Sequence, residues 1–134
     1  MDVLAALRTK INAFPGYASE DERRRSDELV RSYLGEALAL AQTRLDGLPA
    51  ALESRLGDLV LRAGFRNQIA FKAFEYATLD GAKVARVAAN DQRLLDLADR
   101  AGAVDAAALP AFLDDVDAAF DVRDREMQSS EAAA

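Results

Sequence analysis

An all-α fold, a helical bundle of four to five helices with two long antiparallel central helices, is predicted by three features of the sequence. Apolar residues recur at helical spacing through nearly the whole chain, and no run alternates apolar and polar residues for long enough to make a strand. The third feature is the stretch from Leu52 to Ala77, which carries two apolar stripes where a surface helix carries one. At roughly 100° per residue, Leu52, Leu56, Leu59, Ala63, Ala70, Phe74 and Ala77 keep to one face. From Phe65 onward a second line, Phe65, Ile69 and Tyr76, runs along another face, leaving Gly64, Gln68, Lys72 and Glu75 as the polar side. A helix apolar on most of its circumference has to be covered on most of it. The stretch is therefore expected to be a continuous helix central to the bundle, with Gly64 as the place where it would break.

The other elements follow in order. Val3, Leu4, Leu7, Ile11 and Phe14 share a face, which predicts a first helix from Asp2 to Phe14, stopped by Pro15-Gly16. Ser19 and Glu22 have capping-box spacing, so a long second helix is expected from Ser19 to Leu48, in phase through Val30, Leu34, Leu38, Ala41 and Leu45. Pro49 suits the first turn of the third helix. Leu79-Asp80-Gly81 reads as a turn in which Asp80 caps a fourth helix, and Gly102 ends that helix. The fifth starts at Asp105 or just before Pro110 and buries Leu109, Phe112, Leu113, Val116, Phe120 and Met127, with its aspartates on a solvated face. Residues 1–127 are expected to form a single domain, and residues 128–134, QSSEAAA, a disordered C-terminal tail.

Composition removes several classes of function. A formal net charge of −6 disfavours non-specific nucleic-acid and anionic-membrane binding, which need a basic field. With no cysteine there is no disulfide, thiol nucleophile or thiolate metal site, and with no histidine the commonest neutral-pH base and transition-metal ligand are gone. The aspartates of the last helix lack the alternation, central glycine and closing glutamate of a calcium loop, so no metal and no cofactor is expected. No segment reads as a secretory signal or a membrane span, which points to the cytoplasm, and the arginine-rich, alanine-rich composition is that of a GC-rich bacterial coding sequence.

Polar residues inside apolar stripes are the remaining candidates. Asp91 falls between Val87 and Leu95, either buried or, if the helix breaks at Asn90-Asp91, as a surface cap. Arg66 is in phase with the apolar face of the third helix and could neutralise Asp91, while Asn67 beside it would need its own partner. Arg44, in phase with Tyr33 and Ala37, is either an anion ligand in the bundle or a stem lying on an apolar edge with its head in water. The run Glu20–Glu28, EDERRRSDE, offers a small docking site for a phosphate or an acidic partner, but its opposite charges four apart favour a salt-bridged helix start.

No chemical signature emerges, and the expectation is a non-enzymatic helical protein–protein interaction module that pairs with itself or a protein partner. Phe65, Ile69 and Tyr76 are its interface candidates, through a homodimer in which the second stripe meets itself. The alternative is a binding protein that holds a small apolar or amphipathic ligand beside Phe65, Phe71 and Tyr76.

Overall fold

A computed structural model describes residues 3–64 and 81–133, with backbone alone for residues 20 and 127–133. Among the described residues there are five helices and no strand: α1 (Val3–Lys10), α2 (Glu20–Arg44), α3 (Ala50–Gly64), α4 (Gly81–Ala101) and α5 (Leu109–Ala133). No helix among them is long and apolar enough to cross a membrane.

Local signals set most helix ends. Ser19, in extended conformation, accepts from the Glu22 N–H at 3.1 Å, and the Glu22 carboxylate reaches back to the Ala18 N–H at 3.1 Å, so the first orphan donors of α2 are satisfied from both sides. At the other end α2 stops at Arg44, short of the predicted Leu48. Gly47 takes a positive φ of 69° and Pro49 holds Leu48 out of the helical region. The Pro49 carbonyl then accepts from Leu52 and Glu53, each at 3.0 Å, and opens α3.

The first helix is also shorter than predicted, ending at Lys10 rather than Phe14. Phe14 nevertheless reaches the core, because the chain leaves the helix in a turn closed by the Phe14 N–H on the Ile11 carbonyl at 3.0 Å, and then runs on through Pro15 and Gly16, whose φ of 108° needs a residue without Cβ. Arg8 folds back to secure this loop, donating to the carbonyls of Phe14 at 2.9 Å and Pro15 at 3.0 Å.

α4 includes Gly81, the last residue of the predicted turn, and ends beside Gly102 as expected, yet Gly102 is not left-handed. The helix end is satisfied from α2 instead: Arg44 donates to the carbonyls of Ala101 at 2.9 Å and Val104 at 2.8 Å. α5 follows a turn in which Asp105 accepts from the Ala108 N–H at 2.8 Å. Its helical backbone continues to Ala133, through the segment expected to be a disordered tail. Alanine and glutamate are strong helix formers, and helical propensity acts without packing.

α2 and α3 are antiparallel neighbours: a Cβ at Gly35 would meet Ala63, whereas one at Gly57 would meet Gln42. Higher numbers on α2 thus lie against lower numbers on α3. Among the described residues α4 touches the most partners, packing on α1, α2 and α5. Its Val87, Leu94, Leu95, Leu97 and Ala98 join Leu34 and Leu38 of α2 and Phe112, Leu113 and Val116 of α5 in one core. The predicted continuation of α3 to Ala77 and the Asp80 cap lie outside the described residues.

Candidate functional site

The largest polar group in the core begins with a charge in the middle of an apolar stripe. Asp91 is fully buried on an unbroken α4, which decides against the surface-cap reading. A lone carboxylate there would be costly, so partners are required. They come from two other segments. Arg123 of α5, itself 1% exposed, forms an ion pair with Asp91 Oδ1, and the Tyr17 hydroxyl, in the loop before α2, donates to Oδ2. The partner expected for Asp91 was Arg66, which lies outside the described residues together with Asn67.

The chain of charges continues past Arg123. Its Nη2 and Nε both donate to Asp27 Oδ1 of α2, at 2.6 and 3.1 Å, and Arg31 Nε donates to Asp27 Oδ2 at 3.1 Å. Arg31 Nη1 in turn donates to the Arg62 carbonyl near the end of α3, at 3.0 Å. The guanidinium groups of Arg31 and Arg62 sit over the Phe120 ring, 5.6 and 4.8 Å from its centroid, and add attraction to the ring's negative face.

Carboxylates and guanidinium groups alternate along this line, Asp91, Arg123, Asp27, Arg31, and their formal charges cancel. Neighbouring polar residues are satisfied locally. Ser26 donates to the Gly16 carbonyl at 2.6 Å and accepts from its N–H at 3.3 Å, and Asn90 donates to the Ala119 carbonyl at 3.1 Å. Burial, reinforced by the nearby Asp27 charge and opposed by Arg123, raises the Tyr17 phenol well above its usual 10.0, so it remains a neutral donor. Both oxygens of each carboxylate are occupied and the group is sealed from solvent. Such an arrangement fixes the register of α2, α4, α5 and the Tyr17 loop, and it presents no open face to a substrate.

The run EDERRRSDE is therefore more than a solvated helix start. Arg25 and Glu28 do pair at the surface, 3.7 Å apart, but Ser26 and Asp27 turn into the core. The aspartates of α5 lie on a largely solvated face, and there they pair with arginines of α3. Asp114 and Asp117 meet Arg55 of α3 at 2.5 and 3.0 Å, and Asp121 and Asp124 meet Arg62 at 3.1 and 3.0 Å. Among the described residues no group of three or more acidic, histidine or cysteine side chains is placed to hold a metal ion. Arg44 is exposed rather than buried: its head caps α4, as described above, and this differs from both the anion-ligand and the solvent-snorkelling expectations.

An open apolar surface exists elsewhere. Between α2 and α3 runs a groove of about 500 Å³, with Leu29, Gly35 and Ala39 on one side and Val60, Ala63 and Gly64 on the other. Next to Ala39 and Val60 in the chain, Leu40 and Leu61 are 71% and 55% exposed. The interface candidates Phe65, Ile69 and Tyr76, and Phe71 of the expected ligand pocket, lie outside the described residues.

Sequence reasoning missed Tyr17, Asp27, Arg31 and Arg123 as members of the ionic group. Two of them carried the signal that singled out Asp91. Asp27 is in phase with Val30 and Leu34, and Arg123 with Val116 and Phe120, so each is a charge within an apolar stripe. Comparison with protein-family models, characterised proteins and solved structures finds no match for this chain.

Proposed function

We propose that the protein is a non-enzymatic, cytoplasmic helical interaction module that pairs with a second copy of itself. The observation that supports this reading is the open α2–α3 groove, lined by Leu29, Gly35 and Ala39 of α2 and Val60 and Ala63 of α3. Single exposed leucines are ordinary on any surface. An open groove between two helices whose accessible lining is mostly apolar is a different matter, and such surfaces mark contact sites. The sealed ionic group gives that surface a rigid backing, because it locks α2 to α4 and α5 from the inner side. An acidic chain with net charge −6 matches a protein partner better than a nucleic acid.

Sedimentation equilibrium at micromolar concentration tests the reading. A self-associating module gives a mass approaching twice the chain's 14.5 kDa, and Leu29→Glu, in the groove, returns it toward the single-chain mass. A mass that stays at 14.5 kDa across a hundredfold range of concentration, roughly the span needed to see a micromolar equilibrium, overturns it.

A further inference from the structure

Resting on that reading, we infer that the pairing surface is the outward face of α2 and that two copies meet there antiparallel across a two-fold axis. Arg25, Leu29, Ser32 and Glu36 all line the groove. Their spacing along α2 is four, three, four, which keeps them on one side of the helix and reads the same in both directions. Only an antiparallel copy uses that symmetry. Centred between Leu29 and Ser32, it sets Arg25 of each chain against Glu36 of the other, and Leu29 against Ser32. A parallel copy sets Arg25 against Arg25 and Glu36 against Glu36, like against like.

The charges are placed to be used in this way. The Arg25 side chain is 60% exposed, its ion pair with Glu28 is long at 3.7 Å, and Glu36 is exposed with no ion pair or hydrogen bond among the described residues. Self-complementarity of one patch is what a two-fold interface requires, because each residue meets its partner twice. Beside this face Gly35 lets α3 pack close on α2, since a Cβ added there would stand 3.5 Å from that of Ala63.

Charge reversal tests the pairing directly on the full chain, with sedimentation equilibrium as the readout and circular dichroism melts as a check on folding. Arg25→Glu places carboxylate against carboxylate at both symmetry-related points, and Glu36→Arg does the same with guanidinium groups. Each should weaken dimerisation roughly tenfold or more, and the double variant, which restores opposite charges in swapped order, should return to within a few-fold of the original. A dimer indifferent to both single reversals overturns this surface while leaving self-association in place. A double variant as weak as the two single losses combined overturns it as well. A wild-type chain that is monomeric throughout overturns both this inference and the reading beneath it.

Discussion

Arginine and aspartate meet in two regions of this molecule, sealed around Arg123 in one and partly in water between α3 and α5 in the other. The hydrogen-bond lengths are alike, 2.6 Å from Arg123 to Asp27 and 2.5 Å from Arg55 to Asp114. Exposure is not: the first pair shows 1% and 2% of its side-chain surface, the second 35% and 70%. Water can replace a lost partner in the second region and cannot in the first. Identical chemistry thus becomes a fixed joint in one place and an adjustable one in the other, and contact distance by itself does not tell them apart.

The contrast is broken most directly at Arg123. Arg123→Met leaves Asp91 with only the Tyr17 hydroxyl and Asp27 with only Arg31, and should cost on the order of 3–5 kcal/mol in chemical denaturation. Adding Asp91→Leu removes one stranded charge, so the double variant should be more stable than Arg123→Met alone. A loss below about 1 kcal/mol for the single change would place Arg123 with the surface pairs.

Tyr17→Phe sharpens the comparison by deleting one neutral donor from the same joint. Asp91 Oδ2 then loses its hydrogen bond in a site closed to water, and the expected cost is about 1–3 kcal/mol by urea denaturation. Arg55→Ala is the matching change in the open region. It removes contacts to Asp114 and Asp117, yet should cost no more than about 1 kcal/mol, and that difference should shrink in high salt. If salt left it unchanged, the α3–α5 pairs would behave as buried ones.

The smallest expected effect lies at Asp99 on α4. Partial burial pushes its carboxyl up, but hydrogen bonds from Lys10 and Tyr33 outweigh that and hold it below 3.8. A depressed folded value stabilises the protein at pH above the unfolded value, and the contribution disappears as pH falls through the folded one. Because the side chain is 46% exposed, solvent screening should keep the contribution to about 0.5 kcal/mol or less. Urea midpoints of wild type and Asp99→Asn should therefore differ at pH 6 and draw together as pH falls below 3.8 and the carboxyl takes up its proton. Equal acid losses in the two proteins would remove Asp99 from the account.

Much of this architecture was legible in the chain itself. Helical phase is local: Val30, Leu34 and Leu38 lie on one side of α2 whatever surrounds them, and Ser19 caps its start with atoms only three residues away. The same locality explains the overreach at Phe14 and at Leu45–Leu48. Phe14 and Leu48 stay in phase with the helices before them, and both pack on the core, but the turn from Ile11 to Phe14 and the left-handed Gly47 had already turned the backbone aside.

The candidate polar site divides along the same line. That Asp91 sits within an apolar stripe follows from Val87 and Leu95 alone, since a helix repeats every few residues. Its partners, Arg123 thirty-two residues later and Tyr17 seventy-four earlier, are decided by which faces α4 turns to α5 and to the loop. Asp27 shows why such a decision is out of local reach: its neighbours four residues away, Arg23 and Arg31, offered equally good surface pairs. Only the approach of α5, bringing a third arginine into the same closed space, made Asp27 a buried joint. A periodic pattern determines which side of a helix faces inward, whereas pairing among buried charges is determined by what the tertiary structure sets opposite that side and by the exclusion of water from between them.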